Sequence, residues 1–568
     1  MGIDSLIAVE IRTWFLKNLE VNMPVLKILG GASIGELLDH AMETLSHNLT
    51  PNIDGVSADV KESAPQSDTE KSKPSSIFNS PGRSSSQSEL ELYASEQESK
   101  SSSERPVLER TEIMSFGQSM FWFVKVLLED QTTLNHTGCY YMKGPVRAHD
   151  LESAIVAVGR RHEALRTCFF MGENGQPMQG VMKSALLHLE RKEVTGPDDV
   201  TEEFARIKNH VFDIEYGSTI RILLLTQSPT DHYLIIGCHH INIDGISQQV
   251  LMSDLEKAYT RQPLSLQVLQ YPDFSLTQRE DYKAGKWKTE ISYWKKEFSD
   301  FPPTLALLPM SQVTFRRPLN AYSVHRTDFR LDSNLTARIH NICRQFKVTP
   351  FHFYLAAFRA LLYRHTDSED LCIGIGDGNR TDDHMLDSIG PYINLLPLRF
   401  HSHQGQAFSH ILKEARSKTY SALANSRLPF EVLLNELSVP RSAAHSPLFQ
   451  AFIDYRQGAR EKQAFGECEL ETVTFEAGRT AHDISLDIVD NPGMDCLLML
   501  MVQQDLYARR DAEILMKSYT NLLEAFAQNP NVPVGGPELY RQEDVEDAIQ
   551  LGRGKHARNL VDDAKMLR

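Results

Sequence analysis

The chain has 568 residues, 41% of them apolar, and a formal net charge of −16. That size supports a sizeable core and more than one domain. The acidic balance, with no basic cluster interleaved with aromatics, argues against nucleic acid, and no apolar run approaches the roughly 18 residues of a membrane-crossing helix. Seven scattered cysteines without a C-x-x-C pair, and no apolar leader ahead of Gly2, read as reduced thiols in a cytoplasmic protein.

In chain order, Asp4-Ser5 opens an amphipathic helix with Leu6, Val9, Trp14 and Phe15 among its apolar positions. A serine there presents its hydroxyl where the helix dipole favours a phosphate; on these residues alone an ordinary helix cap is the simpler reading. From about Asn48 to Arg105 the chain is rich in Ser, Pro, Glu, Gln and Lys, with runs such as Ser84-Ser85-Ser86. Such composition cannot bury enough surface to order itself, so 46–106 reads as a disordered linker, either a tether or a plain spacer. Helices are expected over Leu151–Arg160, Ser247–Tyr259, Phe351–Arg364 and Asp511–Phe526. Strands are expected over Tyr233–Cys238, Asp370–Ile375 and Leu497–Val502. Helices mixed with short apolar strands give an α/β fold. Gly374-Ile375-Gly376-Asp377-Gly378-Asn379-Arg380 lacks the spacing and following helix of a nucleotide fingerprint and reads as a loop.

The run Cys238-His239-His240-Ile241-Asn242-Ile243-Asp244-Gly245 carries the chemistry. Histidine titrates near neutrality and is the usual general base. At the end of a strand the two neighbouring side chains face opposite ways, so His239 and His240 have different jobs. Asp244 could hold the turn or pair with a distant cation, and Gly245 permits backbone that a Cβ would hinder. Three readings stand: a structural His pair, a metal site using His240 and Asp244, and an acyl-transfer base. The metal reading is the weakest, because no further ligand cluster accompanies the pair.

The run resembles the HHxxxDG motif of condensation domains of nonribosomal peptide synthetases. Ser115-Phe116-Gly117-Gln118 with Phe121-Trp122, Arg161-His162-Glu163-Ala164-Leu165-Arg166-Thr167 and Tyr271-Pro272-Asp273-Phe274 resemble the family's first, second and fourth motifs. Ile389-Gly390-Pro391-Tyr392-Ile393-Asn394, Leu428-Pro429-Phe430-Glu431 and Ser446-Pro447-Leu448-Phe449-Gln450 resemble the fifth, sixth and seventh. Gly117 stands where the family usually has alanine. The resemblance implies two chloramphenicol-acetyltransferase-like lobes in a V, about 107–285 and 286–535, with a tunnel between them and a C-terminal linker over 536–568. It implies that His240 orients or deprotonates an amine attacking a thioester. It also implies that Asp244 pairs with Arg166, that Gly245 lines the base of the site and that Asn394 supports the tunnel. An Asp beside an Arg keeps its charge, so Asp244 is not expected to take the proton. No metal is expected.

Gly2-Ile3-Asp4-Ser5-Leu6, with Val9-Glu10-Ile11-Arg12 and Gly30-Gly31-Ala32-Ser33-Ile34-Gly35-Glu36-Leu37, resembles the acyl carrier of fungal reducing polyketide synthases. That implies 4'-phosphopantetheine on Ser5. The carrier's first helix would precede this start, so 1–45 reads as the C-terminal part of a carrier and the chain as a piece of a polyketide synthase–nonribosomal peptide synthetase hybrid. Expected partners are upstream polyketide synthase modules, downstream peptidyl carrier and adenylation domains, and a phosphopantetheinyl transferase. The expected reaction joins a carrier-bound polyketide thioester to a carrier-bound aminoacyl thioester in secondary metabolite biosynthesis. Two alternatives remain: transfer of the polyketide to a soluble amine, alcohol or thiol, and a non-catalytic docking or gating module.

Overall fold

The computed structural model describes Phe15, Val21, Met23, residues 34–44, and residues 106–540 apart from 265–267, 320, 402, 458–461 and 492–494. Ser5, nearly all of the expected linker and most of the C-terminal segment lie outside these residues. Of the carrier-like stretch, a helix α1 (Ile34–Thr44) is described.

The chain then runs β1 (Leu108–Ile113), α2 (Phe116–Leu127), β2 (Asn135–Lys143), α3 (Ala148–Arg161), β3 (Thr167–Met171), β4 (Pro177–Met182), β5 (Leu189–Glu193), α4 (Pro197–Lys208), β6 (Ile220–Ser228), β7 (Asp231–His239), α5 (Gly245–Tyr259) and α6 (Tyr271–Lys283). It continues through α7 (Lys288–Glu297), β8 (Val324–Leu331), α8 (Ser333–Phe346), α9 (Pro350–Thr366), β9 (Asp370–Asp377), one helical turn at Asp383–Leu386, β10 (Asn394–His401), α10 (Phe408–Leu423) and α11 (Phe430–Glu436). It ends with β11 (Ala451–Gln457), β12 (Gln463–Phe465), β13 (Cys468–Glu476), β14 (Ile484–Asp490), β15 (Cys496–Gln503) and α12 (Arg509–Gln528). The helices expected over Leu151–Arg160, Ser247–Tyr259, Phe351–Arg364 and Asp511–Phe526 and the three expected strands are present, one to three residues longer at most ends, while the helix expected from Asp4-Ser5 lies, apart from Phe15, outside the described residues.

Two six-stranded sheets organise the molecule, in the orders β12-β13-β2-β7-β6-β5 and β10-β9-β11-β14-β15-β8, beside a small sheet β1-β4-β3. β7 is a continuous apolar run because it is covered on both faces. Leu234, Ile236 and Cys238 face one core cluster with residues of α3 and α5, and Ile235 faces another with Val200 and Ile207 of α4. At Gly237 a Cβ would lie 2.4 Å from the Ile207 side chain, so α4 packs directly on the strand's backbone. In the second sheet the period-2 alternation separates the main core face from a second, more polar one. Ile373, Ile375, Ile453, Leu486, Leu498 and Leu500 join the core with α9 and α12, while Asp454, Arg456 and Asp487 lie on the alternate positions.

The sheets do not divide where the chain was expected to divide, near residue 285. Strands β12 and β13 belong to the C-terminal half in sequence, yet β13 pairs with β2, with Phe475 opposite Gly138 and Glu476 opposite Thr137. The loop after β9 also returns to the N-terminal half, where Gly390 N donates to Ser247 Oγ at 3.0 Å. The two lobes are therefore stitched twice, and both stitches flank the end of β7.

Candidate active site

Most of the quoted motifs are joints of the scaffold. Ser115 and Gln118 form a reciprocal cap on α2: Gln118 N donates to Ser115 Oγ and Ser115 N to Gln118 Oε1, both at 3.0 Å. An alanine at Gly117 would meet Pro391 O at 3.6 Å, an ordinary contact, so the departure there is harmless. Arg161 and His162 bind Asp254 of α5, at 2.9 and 2.8 Å. Gln450 Nε2 donates to Ser446 O at 2.8 Å, and its Oε1 accepts from Leu305 N at 2.7 Å.

Asn394 is a further joint. Its Nδ2 donates to Ser426 O and Leu428 O, both at 2.8 Å, and its Oδ1 accepts from Phe430 N at 2.9 Å. It pins the start of β10 to the turn before α11. All its reach is spent on backbone, so it supports the fold rather than the chemistry.

The His run ends β7 and starts α5. His239 N donates to Thr219 O and His240 N to Leu134 O, both at 2.9 Å, so the strand's hydrogen bonding persists to the point where the chain turns. The two histidines then diverge. His239 is buried, and its Nδ1 accepts from Ile241 N at 3.2 Å. Burial, with the neighbouring His240, depresses its pKa to about 3, so it is a neutral brace of the turn. His240 stays partly exposed. Its Nδ1 lies 2.9 Å from Ile243 O. A carbonyl only accepts, so Nδ1 carries the proton and Nε2 keeps its lone pair. Burial lowers the His240 pKa below its ordinary value, which favours this uncharged form. The ring stacks on Phe121, with centroids 4.4 Å apart, and meets the His136 ring at 4.1 Å and 65°.

Asp244 caps α5: its Oδ1 accepts from Ser247 N at 2.7 Å. The same oxygen accepts from Arg380 at 3.0 Å, and Oδ2 accepts from Tyr392 N at 3.0 Å. The partner expected from the sequence, Arg166, is a correction. Arg166 ends the short helical turn before β3, and its guanidinium donates to Glu109 at 2.7 Å and to Met182 O. That binds it to the small sheet. Arg380 is supplied instead by the loop after β9; the Gly-rich stretch expected to be a loop is strand through Asp377 and loop only from Gly378. Arg380 also donates to Ser247 Oγ and Ser388 O, both at 2.7 Å, and lies over the Tyr392 ring at 4.4 Å. With three donors on its two oxygens, Asp244 is a structural anion. That use also leaves the His240–Asp244 metal reading without support, and among the described residues no group of three His, Cys, Asp or Glu side chains could hold an ion.

Gly245 differs from expectation in its reason. Its φ is outside the left-handed region, and a Cβ built there meets nothing within 4 Å. The backbone does not need glycine, and a side chain there would enter open space.

Behind His136, Phe475 and Arg456 bridge the two sheets. The Phe475 ring is 6.0 Å from His136 and 5.7 Å from the Arg456 guanidinium. Arg456 donates to Asp487 at 3.0 Å, and burial raises the Asp487 pKa to about 6. Two large grooves lie elsewhere. One, of about 970 Å³, separates Tyr141, Tyr233 and Glu471 from Arg330, Ser333 and Asp495. The other, of about 920 Å³, runs between Arg160, Gln270 and Met385. His240 lines neither of them.

Sequence reasoning missed Arg380, Ser247, the Tyr392 amide and His136. Only Arg380 left a trace, as the cation closing a glycine-rich stretch. The others act through backbone or as single residues without a pattern.

Comparison with known proteins gives these matches. A family model described as a condensation domain matches residues 109–548. The polyketide synthase-nonribosomal peptide synthetase phmA of Phaeosphaeria nodorum is 40% identical over 98% of this chain, which spans 16% of that relative's length. The hybrid PKS-NRPS synthetase poxE of Penicillium oxalicum is also 40% identical over 98% of the chain, which spans 15% of it. The condensation domain from the Monacolin K polyketide synthase MokA superposes with a TM-score of 0.70 at 28% identity, covering 75% of this chain and 100% of that one. The X-domain from teicoplanin biosynthesis shares the fold, with a TM-score of 0.68 at 20% identity over 76% of this chain and 99% of that one.

Proposed function

The chain belongs to the condensation domain family, acyltransferases that form amide bonds, and from that premise we propose that it joins a polyketide acyl thioester to the amine of an aminoacyl thioester within a hybrid synthetase of secondary metabolism. The observation that carries the reading is the geometry of His240: Nδ1 is committed to Ile243 O, which leaves the Nε2 lone pair for a proton, and burial lowers the ring's pKa, which favours the uncharged form. The acceptor amine attacks the thioester carbonyl, a C–N bond forms, and Nε2 accepts the proton that the nitrogen sheds. The C–S bond then breaks, and the departing thiolate takes a proton back. Asp244 and Arg380 hold the start of α5, and so the turn that carries His240, without exchanging protons.

The partners belong to the same proposal. Relatives many times longer than this chain fit upstream polyketide synthase modules and downstream adenylation and peptidyl carrier domains. Ser5 would carry 4'-phosphopantetheine, installed by a phosphopantetheinyl transferase. Among the described residues no helix is long and apolar enough to cross a membrane.

The test incubates the chain with an octanoyl thioester and an alanyl-loaded peptidyl carrier and records intact masses. Octanoyl-alanyl product on the carrier is the expected result. Free amide or ester with an added soluble acceptor, and none on the carrier, would replace the carrier-bound acceptor with a soluble one. No transfer in either case would leave a docking or gating module.

A further inference from the structure

The Nδ1 hydrogen bond fixes one point of the His240 ring. That bond restrains the ring plane but tolerates rotation of some tens of degrees, because the torsion about the bond from Cβ to an aromatic ring is broad rather than sharply staggered. Two other rings touch the imidazole: Phe121 from α2, stacked at 4.4 Å, and His136 from β2, edge-on at 4.1 Å. Phe121 is an ordinary core residue. His136 is not. It is 7% exposed, and its Nε2 is buried with no hydrogen-bond partner among the described residues. A Cβ on Gly478 would come within 3.3 Å of that nitrogen, so the atom faces backbone rather than a polar group.

A buried polar atom without a partner destabilises the fold, and an apolar side chain of similar volume carries no such cost. Packing therefore does not ask for histidine at this position.

We propose that His136 is a positioning residue for amide formation: its flat ring, set edge-on to His240 and acting with Phe121, fixes the plane of the His240 imidazole and so the direction of the free Nε2. The inference rests on the function proposed above. An error of about 1 Å at a reacting group can cost on the order of 100-fold in rate. The two rings form one device, so the loss of either frees the imidazole and the loss of both adds little more.

The test uses the full chain with octanoyl and alanyl N-acetylcysteamine thioesters, and compares His136→Leu, His136→Phe, Phe121→Leu and the double variant His136→Leu/Phe121→Leu. Expected for His136→Leu is a melting temperature equal to or above wild type, kcat lowered at least 30-fold and KM within threefold. His136→Phe, which keeps a flat ring, returns kcat to within fivefold of wild type. The double variant is no more than threefold worse than the poorer single one. A lower melting temperature for His136→Leu overturns the proposal, because it would make His136 a packing residue. So does a kcat within threefold of wild type, a loss expressed only in KM, or multiplying losses in the double variant. A second readout does not depend on turnover. In the 15N-histidine-labelled chain, long-range 15N spectra show one sharp Nδ1–H form of His240 in wild type and an exchange-averaged ring in His136→Leu. An unchanged His240 signal in that variant overturns the proposal even if the wild type forms no amide, whereas failure of the wild type to form amide counts against the proposed function.

Discussion

Replacing Arg380 by methionine removes the cation that meets Asp244. The contacts to Asp244 Oδ1 at 3.0 Å, to Ser247 Oγ and Ser388 O at 2.7 Å, to Met385 O and to the Tyr392 ring go with it. Both partners of the ion pair are almost fully buried. Removing one partner of a buried pair costs about 3–5 kcal/mol, mostly because the other charge is left uncompensated. Asp244 keeps the amides of Ser247 and Tyr392, which places the expected loss near the lower end, about 3 kcal/mol. Asp244→Asn removes the charge and retains an acceptor for the Ser247 amide, for about 2 kcal/mol. In the double variant the stranded carboxylate is gone, so the losses fall short of additivity by about 2 kcal/mol. Urea unfolding of the four proteins measures that coupling. The same cycle run with Arg166→Met should be additive within about 0.5 kcal/mol, since Arg166 is bound to Glu109 and Met182 O. Coupling of Asp244 to Arg166 and none to Arg380 would refute the pairing.

Gly245→Ala should stabilise the start of α5 by about 0.4–1 kcal/mol, because its Cβ meets nothing. On the reading that Gly245 lines the base of the site, the same methyl should slow amide formation about tenfold, and unchanged kinetics would contradict that reading. Asn394→Ala strands two carbonyls and an amide. It should cost about 3 kcal/mol in urea unfolding while leaving kcat within threefold below the melting transition. Acid should unfold the chain early. Burial holds His239 near a pKa of about 3, and His352, His365 and His482 near about 4. Each is neutral when folded and takes a proton when unfolded below about 6.5, so its stabilising contribution is present above that pH and is lost as pH falls. At pH 5 each costs about 2 kcal/mol, together comparable to the net stability of a whole domain. Calorimetry at pH 5 should find a net uptake of protons on unfolding, about four of them by these rings, and stability that stays flat from pH 7 to 5 would contradict the burial of these rings as neutral groups.

The fold was legible where burial writes a pattern. The apolar run of β7, the all-round burial of α9 and the apolar stripe of α12 each answer to what covers them. The strand exchange was not legible, because β13 reads Cys468-Glu469-Leu470-Glu471, an alternation that suits any half-buried strand and does not say which sheet it joins. The site was half legible. The order of the two histidines and the Asp-Gly step after them set the turn and its cap, which is local chemistry. The partner of Asp244 is a choice between arginines far apart in sequence, Arg166 and Arg380, and only the path of the loop after β9 decides it. His136 carries no local signal at all; its meaning lies in a 4.1 Å contact across two strands.

The central claim is that the free Nε2 of His240 receives the acceptor amine's proton or holds that amine for attack. Single-turnover amide formation by wild type and His240→Ala, with octanoyl and alanyl thioesters at equal enzyme occupancy, tests it most directly. The account predicts a loss of about 10²–10⁴-fold with an unchanged melting temperature. A His240→Ala rate within threefold of wild type would contradict it.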